Sequence, residues 1–209
     1  MNDVKVVAFD CDGVLFDTEE ANRAYYNFIL AHFDRPPMDD GQLRFVHAHT
    51  LHQSLEHLFA DEGERREAAA FRNTIDYGRF LRYLTIEPTL IDLLDWMRGR
   101  FSTAIATNRT DTMDRLLREF DLADRFGLVV TSLDVARPKP FPDPLLKILT
   151  HFGAAPHQAF FVGDSEIDEA TARAAGVRFV AYRNPNLKAD RHIHRLAQLK
   201  SLLSADDRY

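Results

Sequence analysis

The feature that most constrains this chain is an alternation of two periods. Short β-branched and aromatic runs, "VKVVAF" from Val4, "FSTAIAT" from Phe101, "GLVVTS" from Gly127, "AFFVGD" from Ala159 and "VRFVAY" from Val177, read as strands. Between them the apolar residues recur at helical spacing. Leu90, Leu93, Leu94 and Met97 fall at i, i+3, i+4 and i+7, as do Met113, Leu116, Leu117 and Phe120, and then Leu145, Ile148, Leu149 and Phe152. Pro88 and Pro142 mark helix starts, and Gly99 and Gly153 mark helix ends. Strands that are apolar throughout must be covered on both faces. The alternation therefore predicts an α/β fold, a doubly wound parallel sheet with right-handed crossovers.

Residues 15–84 break the alternation. They contain no strand-like run, only helix-like segments at 17–33, 39–59 and 64–83, separated by "RPPM" and "DEGE". This predicts an all-helical cap, residues 15–84, inserted into a core built from residues 1–14 and 85–209. No repeat or low-complexity tract interrupts the chain, and the residues after Leu203 read as a frayed polar tail.

Composition narrows the partners. A formal net charge of −6 and a pI of about 5.8 give no basic excess for nucleic acid. No apolar run approaches the ~18 residues of a membrane span, and the start of the chain lacks the pattern of a signal peptide, so a cytoplasmic protein is expected. Cys11 is the single cysteine, which excludes an internal disulfide. A thiol phosphatase needs arginine six positions after its cysteine, but Asp17 stands there. Cys11 reads as a small packed residue.

The polar residues at the strand ends carry the chemistry. Asp10, Thr107 and Asp164 close three predicted strands, Asp12 follows Asp10, Asp168 follows Asp164, and a loop delivers Lys139 in "RPKPFPDP". All fall at one edge of the sheet, where open α/β sheets bind ligands. Two carboxylates 4 Å apart repel by about 4 kcal/mol at a surface-like dielectric, so Asp10, Asp12, Asp164 and Asp168 call for a cation. Oxygen-only ligands suit Mg²⁺, which combines one or two carboxylates with waters and a substrate phosphate. Lys139, Thr107 and Asn108 then supply donors for phosphate oxygens.

These motifs resemble the haloacid dehalogenase superfamily, specifically its phosphoglycolate phosphatase and β-phosphoglucomutase-like subgroup with a helical cap. "DCDGV" from Asp10, "ATN" at Thr107, Lys139 in "PKPFPDP" and "VGDSEID" with Asp164 and Asp168 stand in the family's order and cover nearly the whole chain. The resemblance implies a Mg²⁺-dependent phosphatase acting on a small phosphorylated molecule. Asp10 attacks phosphorus and forms an aspartyl-phosphate. Asp12 is the general acid and then the base, which asks for a raised Asp12 pKa beside an ionised Asp10. Mg²⁺ is held by Asp10, the backbone carbonyl of Asp12 and Asp164, with Asp168 acting through water or from behind. Gly13 permits a sharp turn, and Asp17 is either the hinge of the cap or a helix N-cap.

Departures from the family pattern sharpen the expectation. Asp12 argues against a true dehalogenase, and the absence of lysine between Lys5 and Lys139 argues against a Schiff-base phosphonatase. Asn22 and Tyr26 fall where mutase relatives carry His and Trp, and the mutase arginine site falls near Leu51, departures that favour hydrolysis over mutase chemistry. A phospho-ligand- or protein-binding relative without activity is the reading of another class, and the complete set of reactive residues argues against it. The cap carries 8 Arg and no Lys against 12 acidic residues, a poor match for a bulky polyanionic leaving group. His47, His49 and His52 are read as a polar helix face rather than a metal site, since no acidic or cysteine ligand completes them. Arg23 and Arg44 read as solvated helix residues, Trp96 as core, and His192 with His194 as surface.

Overall fold

The computed structural model describes residues 4–205. In chain order its strands are β1 (Val6–Phe9), β2 (Phe16–Asp17), β3 (Thr85–Ile86), β4 (Ser102–Ala106), β5 (Leu128–Val130), β6 (Ala159–Gly163), β7 (Arg178–Tyr182) and β8 (Arg191–Ile193). The helices are α1 (Glu19–His32), α2 (Asp40–Ala48), α3 (Leu51–Leu58), α4 (Glu62–Arg72), α5 (Leu90–Met97), α6 (Met113–Glu119), α7 (Asp143–Phe152), α8 (Glu166–Ala175) and α9 (Leu199–Ala205). Six strands form one sheet in the order β5-β4-β1-β6-β7-β8, and every neighbouring pair is parallel.

The period-2 pleat explains why the strand runs are apolar throughout. Val7, Phe9, Ile105 and Val162 point to one face, while Val6, Ala8, Ala104 and Phe161 point to the other. The stripes of α5 (Leu90, Leu93, Leu94, Met97) and α6 (Met113, Leu116, Leu117) cover the first face. Leu145, Ile148 and Leu149 of α7, with Ala172 and Ala175 of α8, cover the second. Full burial of each large apolar side chain contributes roughly 1.5–3 kcal/mol, so the predicted stripes are the glue of both layers.

Between β2 and β3 the described chain is helical: α1 to α4 followed by a 3-10 segment, Tyr77–Tyr83. Its Tyr25, Ile29, Leu43, Leu55 and Phe80 belong to the same apolar cluster as the first sheet face. Three local expectations need correction. The stretch 39–59 is two helices, because Thr50 opens a new capping box with Gln53 and breaks the chain at His49. The stretch 64–83 stops at Asn73 and restarts as the 3-10 segment, where Asp76 accepts a hydrogen bond from the Gly78 N–H at 3.0 Å. A strand also exists where none was expected: β2 pairs antiparallel with β3, tying together the two ends of the helical segment.

Asp17 lies in β2, and Thr18 rather than Asp17 is the N-cap of α1; the Asp17 carboxylate accepts from the Glu19 N–H at 3.3 Å. β8 places His192 in the sheet, with Nε2 3.0 Å from the Leu187 carbonyl, so that histidine is structural. Cys11 is buried, as expected. Helix α9 continues to Ala205; residues 206–209 of the expected tail lie outside the described residues. No helix among the described residues is long and apolar enough to cross a membrane.

Candidate active site

The strand order reverses at β1, which lies between β4 and β6, so the crevice of the sheet opens at its carboxyl end. Asp10 follows β1, Thr107 follows β4 and Asp164 follows β6. Lys139 reaches the same point from the loop before α7, and Asp168 from the first turn of α8. The carboxylate oxygens of Asp10, Asp164 and Asp168 lie within 4.8 Å of one another. The Lys139 ammonium bridges two of these acids, 2.7 Å from Asp10 Oδ1 and 2.7 Å from Asp168 Oδ1.

Small residues and satisfied amides hold this cluster together. The Cys11 N–H donates to Asp10 Oδ1 at 2.7 Å. Asp168 Oδ2 accepts from Ser165 Oγ at 2.6 Å, Ser165 N–H at 3.2 Å and Asp164 N–H at 3.3 Å. Gly13 has φ +77, and a Cβ there would lie 2.1 Å from Asp164 Oδ2; a Cβ at Gly163 would lie 2.4 Å from that of Asp168. The sharp turn expected at Gly13 is therefore real, and it is also the room that Asp164 occupies.

Asp12 faces a different partner. Arg109 grips it in a bidentate pair, Nε to Oδ2 at 2.8 Å and Nη2 to Oδ1 at 2.7 Å. Both oxygens of this carboxylate are thus engaged by the guanidinium. Thr107 Oγ1 accepts from the Arg109 N–H at 3.1 Å and keeps its own proton to donate. Asn108 is buried, but its amide donors are already engaged, by the carbonyls of Ala48 and Lys139 at 3.2 Å each. A phosphate would have to compete with these two carbonyls for the Asn108 amide. Its Oδ1 is a buried acceptor left without a partner.

The helical segment roofs these groups. A cavity of about 60 Å³ lies between Asp10, Asp12, Thr107 and Lys139 below and Asn22, Tyr26, His47, His49, Leu51 and Arg72 above. His47 Nδ1 accepts from Asn22 Nδ2 at 3.1 Å, and the His49 ring stacks on Phe45. The His52 side chain is 84% exposed and pairs with Glu56, so the three histidines do not act as one cluster. Arg72 is held by Asp111, and Arg115 by Asp76, so ion pairs join the helical segment to the loop after β4 and to α6. Arg23 pairs with Glu19, Glu20 and Asp40 at the surface, and Trp96 packs partly buried against Phe101.

A family model described as haloacid dehalogenase-like hydrolase matches residues 7–182. The chain belongs to this family. It is 32% identical to phosphoglycolate phosphatase 1 of Pseudomonas aeruginosa over 187 residues, covering 85% of this chain and 68% of that one. It is 30% identical to a phosphoglycolate phosphatase of Chromobacterium violaceum, covering 96% of each chain. Among solved structures, a subfamily IA hydrolase of the same superfamily from Geobacter sulfurreducens is 40% identical over 97% of each chain, with a TM-score of 0.79.

The electrostatics of this haloacid dehalogenase-like site depart from the sequence expectation. Burial and the charge of Asp168 push the Asp10 carboxyl up to about 7, against the pull of Lys139. Burial and the charges of Asp168 and Asp10 raise Asp164 well above the carboxylate range. Burial also works on Asp12, but the Arg109 guanidinium overrides it and holds that carboxyl low. The side chains by themselves hold Asp12 low and push Asp10 up, the reverse of what the acid and nucleophile roles ask for. The reason is that Arg109 neutralises Asp12 while the cluster has more anions than its one ammonium can balance. Such a donor set, oxygen-only and short of positive charge, fits a divalent cation.

A pH dependence follows for the metal-free protein. Folded Asp10 holds its proton up to about pH 7, whereas its ordinary value is 3.8, so its stabilising contribution is complete below about pH 4 and lost as pH rises through 7. Asp164 acts in the same direction. Thermal unfolding in chelator is expected to fall between pH 5 and pH 8 by an amount equivalent to a few kcal/mol, with Mg²⁺ recovering more stability at pH 8 than at pH 5. A midpoint that stays flat or rises over this range contradicts the charge assignment.

Proposed function

We propose that the protein is a Mg²⁺-dependent phosphatase of small phosphate monoesters, phosphoglycolate foremost, working through an aspartyl-phosphate on Asp10. The observation that carries this reading is the juxtaposition of the Asp10, Asp164 and Asp168 cluster, bridged by Lys139, with Asp12 in a small pocket. The pocket suits a leaving group of a few atoms, and the named activity of the Pseudomonas and Chromobacterium relatives gives its first candidate.

In this reading Asp10, the backbone carbonyl of Asp12 and Asp164 hold Mg²⁺, and Asp168 orients them through Lys139 and the amides of Asp164 and Ser165. The bound ion offsets the carboxylate charge and polarises the phosphate. The Asp10 carboxylate forms a new O–P bond as the bond to the leaving oxygen breaks. Asp12 gives its proton to that oxygen and later takes one from the water that opens the aspartyl-phosphate, splitting one displacement into two. Lys139 and the Thr107 hydroxyl donate to phosphate oxygens. Residues 15–84 form a cap over a core of 1–14 and 85–209. The cap excludes water and contributes the leaving-group contacts, with the β2–β3 pair at its base. Leu51 lines the pocket, and an apolar side chain near the place where mutase relatives carry arginine supports hydrolysis.

The test is phosphate release from a panel of small monoesters, with Mg²⁺ and with chelator. Metal-dependent release that ranks phosphoglycolate first is the expected result. Interconversion of sugar phosphates without net release would instead identify a mutase, and no reaction with any ester would leave the fold without this activity.

A further inference from the structure

Arg109 is the buried charge in the pocket that the phosphatase reading leaves without a task. Its side chain is 7% exposed, and its fork covers both oxygens of Asp12. Its remaining nitrogen is steadied by the far wall, with Nη1 2.9 Å from Tyr77 Oη and 3.4 Å from Thr112 Oγ1. A carboxylate gripped on both oxygens cannot reach a leaving group. Withdrawing it would strand a buried guanidinium, a state strongly disfavoured unless another anion takes its place. The other cations at the pocket are already matched, Lys139 by Asp10 and Asp168, and Arg72 by Asp111. Lys139 keeps Asp168 when Asp10 turns to phosphorus, whereas Arg109 would give up the carboxylate it is paired with if Asp12 turned away.

We propose that Arg109 determines specificity by exchange. It takes a carboxylate of the substrate in place of Asp12, so that Asp12, released from the guanidinium, takes up a proton from water and turns to the leaving oxygen only when a phosphate ester bearing a nearby carboxylate is bound. The planar fork already accommodates a carboxylate, and Tyr77 and Thr112 hold it in position while the anions trade places. Arg109 lines the same pocket as Thr107, Lys139 and Asp10, so a carboxylate on its fork and a phosphate beside Asp10 belong to one small molecule. This inference rests on the phosphatase reading and adds a reason for its substrate choice. The gain is selectivity, because a neutral ester finds the acid occupied.

The experiment compares kcat/KM of the Mg²⁺-loaded protein for phosphoglycolate and for 2-hydroxyethyl phosphate, of similar size but without the carboxylate. The parent is expected to prefer phosphoglycolate on the order of 100-fold, Arg109→Gln to lose nearly all of that preference, and Arg109→Lys to retain part of it. Equal losses on both esters in Arg109→Gln, with the preference intact, would reduce Arg109 to a structural role and overturn the inference. A second measurement needs no variant: acetate should accelerate hydrolysis of 2-hydroxyethyl phosphate by the parent in a saturable way, and simple inhibition would count against exchange. Failure of the parent to release phosphate from either ester would overturn the phosphatase reading itself.

Discussion

Asp10→Asn is expected to abolish turnover, by at least about 10⁴-fold, while leaving the metal-free protein as stable as the parent or more so. The loss follows from chemistry, since an amide oxygen is a poor nucleophile toward phosphorus. The stability follows from the surroundings of the side chain. The amide oxygen of the variant can still accept the Cys11 N–H, and Lys139 keeps Asp168 as its counter-charge. The substitution also removes a carboxyl that burial and Asp168 push up to about 7, and with it part of the repulsion on Asp164. Phosphate release and thermal unfolding in chelator, measured on the same preparation, separate the two effects. Activity within tenfold of the parent would move the nucleophile elsewhere. A large fall in the unfolding midpoint would make Asp10 a structural residue.

What could be read from the sequence was what local pattern encodes. Each strand of the central five carries its own apolar run, and its last residue is local information, so the convergence of Asp10, Thr107 and Asp164 followed from the alternation. The helices α5, α6 and α7 announced themselves by their stripes. The short elements did not. β2 and β3 are two residues each and exist because distant backbone segments pair, which no local propensity records. β8 is three residues, "RHI", of which only Ile193 is buried. The break between α2 and α3 was legible in principle, since Thr50 and Gln53 spell a capping box, but a capping box inside a polar helical stretch is easily read through.

The site was missed where its function depends on long-range pairing. Arg109 directly follows "ATN" and looks like any loop arginine, yet it meets Asp12 from 97 residues away. Arg72 and Tyr77 come from the helical segment and show no motif. Asn108 was read as a phosphate donor from its place after the strand, and only the Ala48 and Lys139 carbonyls reveal that its donors are engaged. The same long-range pairing governs the charges, because Arg109 holds Asp12 low while Lys139, shared with Asp168, pulls on Asp10 without overcoming its burial.

Asp168 and Asp164 look alike in the sequence, two acids four residues apart, and the structure makes them opposites. Asp168→Ala is expected to destabilise the protein by about 3–5 kcal/mol, because it leaves a buried ammonium with one partner fewer. It also strips acceptors from Ser165 Oγ and from the amides of Ser165 and Asp164. For a domain of this length that corresponds to a fall of roughly 10 °C in the unfolding midpoint. Asp168→Asn keeps the shape but turns an NH₂ group toward either Lys139 or Ser165, both donors, so it recovers only part of the loss. Asp164→Asn removes a carboxyl that its neighbours already push toward the neutral form, and its backbone carbonyl still accepts from Asn184 Nδ2 at 2.8 Å. The metal-free midpoint of Asp164→Asn should therefore hold or rise while the Mg²⁺ concentration for half-maximal activity increases at least about tenfold. Unfolding in chelator and a Mg²⁺ titration of activity on both variants decide the matter. Equal destabilisation by both, or an unchanged Mg²⁺ requirement in Asp164→Asn, would show that the two acids share one role and that the division between holding the ion and holding the holder is wrong.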